Sequence, residues 1–118
     1  MSSWVQGLRQ MKPLTPLQDM HNRINGYLYP RQKVIYVDVD DTLIIDKKVN
    51  TELIKWLIKK HVDDYEINVW SMAGKKHAER AVERCGIALI VSNTLSKPGY
   101  IVDDMGWGWI QYTKAIEP

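Results

Sequence analysis

Two kinds of apolar pattern alternate along this chain. Short runs rich in β-branched residues, which predict strands, occupy residues 33–38, 66–70, 87–91 and 100–102. Apolar residues at helical spacing follow the first two runs, from about residue 50 to His61 and again at Ala78, Ala81, Val82 and Cys85. Because strands alternate with helices, the pattern predicts an α/β fold in which right-handed crossovers build a short parallel sheet.

Polar residues and glycines mark where the predicted helices begin and end. Asn50 is placed to cap the first of them, with Val49 and Ile54 as a hydrophobic staple. Gly86 ends the second. Residues 15–18 have the form of a capping box with proline at the first helical position, so a further short helix is predicted before Gly26.

The length of 118 residues predicts one domain, with residues 1–32 as an N-terminal arm and residues 33–104 as the core. The formal net charge of +2 is uneven, because residues 1–33 hold five lysines and arginines against one acid. A basic arm is compatible with phosphate-rich partners, but a solvated surface segment is the commoner explanation for a few spread charges. Nucleic acid is therefore an allowed partner that the sequence does not indicate.

Neither hydropathy nor cysteine usage points to a membrane or secreted protein. The longest stretch without charge, residues 86–96, is too short to span a bilayer, and no basic segment followed by an apolar block opens the chain. The single cysteine, Cys85, excludes an intramolecular disulfide and a cysteine-rich zinc site, and it is expected in the core. We expect a soluble cytoplasmic protein.

Polar side chains are concentrated where predicted strands end. Residues 34–43 read VIYVDVDDTL, so Asp38 and Asp40 follow the first strand at positions that share one strand face. Parallel strands bring their carboxyl ends to one sheet edge, where open α/β sheets bind ligands. The polar residues at the other strands are Ser71, Lys97 and the pair Asp103-Asp104.

This order of Asp-x-Asp-x-Thr, serine, lysine and paired acids resembles the four motifs of the haloacid dehalogenase superfamily of phosphohydrolases, over residues 33–104. The resemblance implies a three-layer Rossmann-like core with helices flanking the sheet. It implies no cap domain, because only residues 44–49 separate the acidic loop from the first helix. An uncapped site suits a large phosphorylated substrate, or a small one covered by the arm or by a second copy of the chain.

The resemblance also implies a role for each motif residue. Asp38 attacks phosphorus and forms an aspartyl-phosphate, while Asp40 protonates the leaving oxygen and then deprotonates the hydrolytic water. Lys97 neutralises the nucleophile and the phosphoryl oxygens, and Ser71 hydrogen-bonds a phosphate oxygen. Thr42 belongs to the same binding set, where it holds the motif loop rather than touching the substrate. Asp40 favours phosphate over carbon–halogen chemistry, since dehalogenating relatives generally lack this second aspartate.

Clustered carboxylates around a phosphate call for a hard cation with oxygen ligands, and the resemblance implies Mg²⁺. Its ligands would be the Asp38 carboxylate, the Asp40 backbone carbonyl and one acid of the last pair. Asp104 is favoured as the direct ligand, because Asp103 stands where related sequences often carry glycine. Asp103 stays the alternative.

Simpler explanations apply to several of these residues. A serine between a strand and a helix, like Ser71, is usually a helix cap, and a lysine before proline, like Lys97, is ordinarily a surface residue. Trp107 and Trp109 follow the acidic pair, and such tryptophans more often belong to a core or interface than to a leaving-group pocket. No catalytic or metal-binding role is expected for His21, His61 and His77.

Two other functions stay open at this point. A receiver-like phosphate-binding or signalling module also combines acids, a hydroxyl and a lysine around a parallel sheet, although it places its acidic pair on the first strand and its lysine on the last. A catalytically idle scaffold is disfavoured by the presence of both Asp38 and Asp40. Among phosphatase substrates, nucleic-acid 3′-phosphate ends are a variant, because the 3′-phosphatase domain of polynucleotide kinases is a more distant resemblance. A homo-oligomer is compatible with the sequence.

Overall fold

The computed structural model describes residues 30–118, which belong to two compact units. Residues 33–100 lie in one unit and residues 101–117 in the other. The first unit contains β1 (Val34–Asp38), β2 (Ile44–Ile45), β3 (Lys48–Val49), α1 (Thr51–Val62), β4 (Glu66–Ser71), α2 (Lys75–Cys85) and β5 (Asn93–Ser96). The second contains a 3₁₀-helix over Gly106–Tyr112.

Three strands of the first unit form a parallel sheet in the order β1-β4-β5. Asp38 pairs with Trp70, and Ser71 pairs with Ser96, so all three strands end at the same edge. The predicted strands at residues 33–38 and 66–70 are confirmed to within a residue at each end. The runs VIYVD and EINVWS that form them are rich in β-branched and aromatic side chains, which suit a pleated surface.

The core lies between one face of this sheet and the two helices. Val37 on β1 and the neighbouring Ile67 and Val69 on β4 are buried together with Leu57 of α1 and with Ala78, Ala81 and Val82 of α2. The alternate residues of β1 point to the other face, where Tyr36 stacks at a tilt on Trp70 with ring centroids 4.8 Å apart. The described residues are therefore α/β, as predicted, and both α-helices pack on the same face.

The two helices predicted within the described residues are present with the ends expected from the sequence. The Asn50 side chain accepts a hydrogen bond from the Leu53 N–H at 3.2 Å and caps α1. α2 ends at Gly86, whose φ of 68° is in the left-handed region that glycine adopts without strain. Cys85 on α2 packs at the rim of the core, where burial raises the pKa of its thiol and the adjacent Arg84 guanidinium opposes part of that rise.

The predicted strand at residues 87–91 is wrong. Ile87 is buried beneath the end of α2, its N–H donates to the Val82 carbonyl, and its own carbonyl accepts from Ile90 and Val91 in a turn. The spacing of these three apolar residues anchors the turn instead of alternating across a sheet. The strand follows later, at Asn93–Ser96, where a more polar sequence occupies an edge position that exposes part of it to water.

The predicted strand at residues 100–102 is also wrong. They have no partner strand among residues 30–118, and Tyr100 and Val102 are almost fully exposed. The short apolar run resembles a strand, but an isolated segment of this length forms no ladder without a neighbouring edge. The helix predicted before Gly26 lies outside the described residues. Within the described range, no helix has both the length and the apolar character needed to cross a bilayer.

Candidate active site

Asp38 and Lys97 form a nearly buried ion pair at the carboxyl edge of the sheet. Asp38 is the last residue of β1, and Lys97 directly follows β5. The Lys97 Nζ lies 3.2 Å from Asp38 Oδ1, and the two side chains are 3% and 11% exposed. The predicted proximity of these two residues is therefore observed, although their predicted chemical roles are a separate matter.

Lys97 reaches Asp38 across the strand between them. Its backbone N–H donates to the Ser71 carbonyl at 2.9 Å, which extends the β4–β5 ladder by one residue. In this register Trp70 lies on the same sheet face as Asp38, and the Lys97 Nζ sits 5.7 Å from the centre of the Trp70 ring. Trp70 thus forms a wall beside the lysine, and the cation is favourably placed over its ring.

Trp70 was not singled out from the sequence, although a signal for it exists. It precedes Ser71, so side-chain alternation places it on the opposite sheet face from that serine. That face is the one used by Asp38. Once the β1–β4 register is known, Trp70 is the β4 residue that a lysine side chain from β5 extends over to contact Asp38.

The loop after β1 is held by its backbone and presents Asp40 to solvent. The Val39 carbonyl accepts from the N–H groups of Thr42 and Ile44 at 3.2 and 3.1 Å. Val39 is buried at 1% exposure, whereas the Asp40 side chain is 67% exposed. Asp41 has a φ of 59°, a left-handed conformation that aspartate tolerates better than most residues and glycine adopts freely.

Thr42 contributes to this loop through its backbone. Its carbonyl accepts a hydrogen bond from Asn50 Nδ2 at 3.1 Å, and the same Asn50 side chain caps α1 through its oxygen. The acidic loop is therefore tied to the start of α1. The hydrogen bond to the Thr42 carbonyl is a physical basis for the predicted role of Thr42 in holding the loop. A contact between the Thr42 hydroxyl and a substrate stays a prediction.

His77 lies against the Asp40 carboxylate. Its Nε2 is 3.2 Å from both carboxylate oxygens, and the His77 side chain is 32% exposed. When Asp40 is ionised its carboxylate only accepts hydrogen bonds, so the facing ring nitrogen is the donor in that state. No role was expected for His77 from the sequence. The available signal was its place in the first turn of the helix that follows Ser71.

Ser71 is buried in the turn between β4 and α2. Its hydroxyl oxygen accepts from the Ala73 N–H at 3.0 Å, and its carbonyl accepts from the Gly74 N–H at 3.1 Å. The N-cap of α2 is Gly74, and the Lys75 N–H is instead capped by the Ser96 hydroxyl at 2.9 Å. Ser71 thus holds the turn rather than capping α2. Its predicted phosphate contact stays a prediction.

Asp103 and Asp104 belong to the second unit. Asp103 Oδ1 accepts from the Met105 N–H at 2.8 Å in the turn that leads into the 3₁₀-helix, and both acids are exposed. The metal-binding role that the sequence predicts for one of them stays a prediction.

Within residues 30–118, no three histidine, cysteine or acidic side chains gather as a ready metal site. The Asp38 carboxylate and the Asp40 carbonyl are nonetheless hard oxygen donors on adjoining segments, the kind that Mg²⁺ prefers. Magnesium usually keeps several waters and takes only one or two protein carboxylates, so the absence of a preformed cage is compatible with it. These donors fit the predicted ion chemically.

No protein-family model, curated protein or solved structure matches this chain. The functional argument therefore depends on the residues and their geometry.

Proposed function

We propose that the chain is a Mg²⁺-dependent phosphatase of the haloacid dehalogenase type, which hydrolyses phosphomonoesters with Asp38 as nucleophile. The observation that carries the proposal is the nearly buried Asp38–Lys97 pair at the carboxyl edge of a parallel sheet. A surface salt bridge contributes little to stability, whereas a buried charge pair is costly to assemble because both ions lose their hydration. Its position beside the acidic loop suits catalysis better than stability.

In the first step, one Asp38 oxygen forms a bond to phosphorus as the bond from phosphorus to the leaving oxygen breaks. Lys97 holds Oδ1, so we assign the attack to Oδ2. The Lys97 ammonium orients the carboxylate and balances negative charge on the phosphoryl oxygens. Asp40 gives its proton to the leaving oxygen, which departs as an alcohol.

In the second step, Asp40 takes a proton from water, and the water oxygen attacks phosphorus. The bond between phosphorus and Asp38 breaks, so inorganic phosphate leaves and both aspartates return to their starting states. Between the two steps Asp40 is ionised, and the adjacent His77 ring N–H then donates a hydrogen bond to its carboxylate. Ser71 and neighbouring backbone N–H groups would bind the non-reacting phosphate oxygens.

Bound Mg²⁺ would supply positive charge to the phosphoryl oxygens and lower the repulsion between substrate and carboxylates. The Asp38 carboxylate and the Asp40 carbonyl are the groups of the first unit that would hold it. The only insertion between the acidic loop and α1 is the short β2–β3 hairpin, so a cap is not expected over the site. The proposed substrate is a phosphomonoester.

The test is hydrolysis of p-nitrophenyl phosphate with and without Mg²⁺. The wild-type chain should release nitrophenol only with the metal, and Asp38→Asn should lose activity by several orders of magnitude because it removes the nucleophile. Asp64→Asn is the matched control: Asp64 precedes β4 at the other edge of the sheet, and its φ of 65° suits asparagine. Metal-independent hydrolysis, or full activity in Asp38→Asn, would contradict the proposal.

A receiver-like signalling module is the second candidate, because a lysine paired with an aspartate at a parallel sheet edge also suits a phospho-accepting switch. The two functions differ in the lifetime of the phosphorylated aspartate. A phosphatase should turn over acetyl phosphate continuously, whereas a switch should accumulate a stable phospho-form. Accumulation at Asp38 without turnover favours the second candidate.

A further inference from the structure

A groove of about 180 Å³ lies beside Asp40, between the β2–β3 hairpin and α2. Its apolar base is formed by Val39, Ile44 and Ala81. Its polar lining consists of Asp40, His77, Arg80 and Arg84. A water molecule takes up about 30 Å³ of liquid, so the groove has room for a group the size of a phosphate together with a few waters.

The polar residues that α2 contributes to the groove form one stripe of the helix. His77, Arg80 and Arg84 are three and four residues apart, so they share a helix face. The acidic residues of the helix, Glu79 and Glu83, are exposed and are not among the residues that line the groove. The groove therefore receives both arginines of α2 and neither of its glutamates.

The two arginines have donor groups to spare. Arg84 Nη2 donates to the Lys47 carbonyl at the tip of the hairpin, which fixes that side chain at the groove wall. Among residues 30–118, no carboxylate lies within ion-pair distance of Arg80, which is exposed. Each guanidinium carries five N–H donors in a planar fork, so both retain donors for a ligand. His77 is already directed at Asp40.

From these observations we infer that the groove binds a second phosphate group carried by the leaving alcohol of the substrate. This inference rests on the proposed function, in which Asp40 protonates the leaving oxygen, so the rest of the leaving group lies beside Asp40. Arginine forks match phosphate oxygens in pairs of hydrogen bonds. Two guanidinium charges balance a phosphate dianion. The third polar side chain from α2, His77, contacts the Asp40 carboxylate, which also lines the groove.

The substrate class is thus a phosphomonoester that bears another phosphate, either a small bisphosphate or the phosphorylated end of a nucleic acid. The test compares phosphate release from adenosine 3′,5′-bisphosphate with release from adenosine 3′-monophosphate and 5′-monophosphate. The wild-type chain should favour the bisphosphate by about tenfold or more in kcat/KM, as expected for charge-assisted hydrogen bonds. A dinucleotide with a 3′-phosphate, whose second phosphate is a diester, separates the two sources.

Arg80→Gln should reduce the ratio of bisphosphate to monophosphate kcat/KM to near one. Both values are measured on the same variant, so a general loss of activity cancels in the ratio. Lys59→Gln is the control, since Lys59 is exposed near the end of α1, at the opposite edge of the sheet. A gain seen only with the dinucleotide assigns the groove to nucleic-acid ends, and a gain seen with both substrates assigns it to any second phosphate. Wild-type ratios near one for both the bisphosphate and the dinucleotide, or ratios that Arg80→Gln leaves unchanged, would overturn the inference.

Failure of the proposed function is recognised separately, as absence of hydrolysis with every substrate. Calorimetric titration then tests phosphate binding by the groove independently of catalysis. Adenosine 3′,5′-bisphosphate should bind the wild-type chain, which in that case does not hydrolyse it, about tenfold more tightly than either monophosphate, and Arg80→Gln should remove that difference. Equal affinity for all three nucleotides would show that the groove does not recognise a second phosphate.

Discussion

At the scale of single residues, two contacts distinguish this site from a set of acids at a strand end. Lys97 is paired with Asp38 in a nearly dry environment, and His77 is paired with Asp40 in a wetter one. The first contact constrains the proposed nucleophile, and the second constrains the proposed acid and base. Each can be tested by substituting the partner rather than the aspartate.

Lys97→Met should destabilise the fold by about 3 kcal/mol or more, because it leaves the Asp38 carboxylate buried without a counter-charge. Phosphatase activity should fall with it. The double variant Asp38→Asn/Lys97→Met should recover much of the lost stability, since no charge is then left buried. Urea unfolding followed by circular dichroism measures all three proteins.

The exposed pair of Lys55 and Glu52 provides the control for that series. Its atoms are 3.4 Å apart, but the side chains are 71% and 83% exposed. Lys55→Met should therefore change the free energy of unfolding by less than about 1 kcal/mol. A Lys97→Met variant as stable as Lys55→Met would show that the Asp38–Lys97 contact is not formed in solution.

His77→Ala should reduce turnover by about tenfold, a fraction of what general acid catalysis contributes in total. The loss should be larger for an alkyl phosphate than for p-nitrophenyl phosphate, because a poor leaving group depends more on protonation by Asp40. His77→Gln keeps an N–H donor at this position and should restore most of the activity. Equal losses on both substrates, or no rescue by glutamine, would assign His77 a structural role only.

At the scale of elements, β5 and α2 depend on each other. The Ser96 hydroxyl at the end of β5 accepts from the first N–H of α2, and Lys97 follows immediately. α2 in turn carries His77, Arg80 and Arg84. The strand that positions the lysine therefore also fixes the start of the helix that lines the groove.

Ser96→Ala should cost about 1 kcal/mol of stability, because it leaves an N–H at the start of α2 without its side-chain acceptor. Ser92→Ala is a suitable control, since Ser92 is exposed and joins the sheet through its backbone N–H. Thermal or urea unfolding of the two variants measures the difference. Equal stability of the two would show that the Ser96 cap contributes nothing.

At the scale of the whole molecule, the first unit contains the proposed nucleophile, the lysine and the acidic loop, while the two candidate metal ligands Asp103 and Asp104 belong to the second. The sequence order predicts that Asp104 binds Mg²⁺ directly and that Asp103 supports it. The two acids are adjacent and both exposed, so their substitutions are matched.

Asp104→Asn should raise the Mg²⁺ concentration needed for half-maximal activity by more than about a hundredfold, because it removes a charged ligand. Asp103→Asn should raise it less, within the range of about ten- to a hundredfold typical of supporting residues. Magnesium titration of p-nitrophenyl phosphate hydrolysis provides the measurement. The reverse order of effects would assign the direct ligand to Asp103.

The sequence by itself determined β1, α1, β4 and α2, because each depends on local signals: β-branched runs, the Asn50 cap and the Gly86 stop. It also predicted that Asp38 and Lys97 lie at the same edge of the sheet. Only the tertiary structure decided where the third strand lies. Residues 87–91 are as apolar as a strand, but they pack against the end of α2, and the ladder to β4 begins after them.

The contacts of Lys97 with Trp70 and of His77 with Asp40 were likewise decided by tertiary structure. They join segments far apart in the chain, and they follow from strand register and from the placement of α2 over the sheet. Periodicity reports which face of an element is apolar, but it carries no information about which distant side chain that face meets. The acids at the end of β1 were visible in the sequence, and the partners that orient them were supplied by the fold.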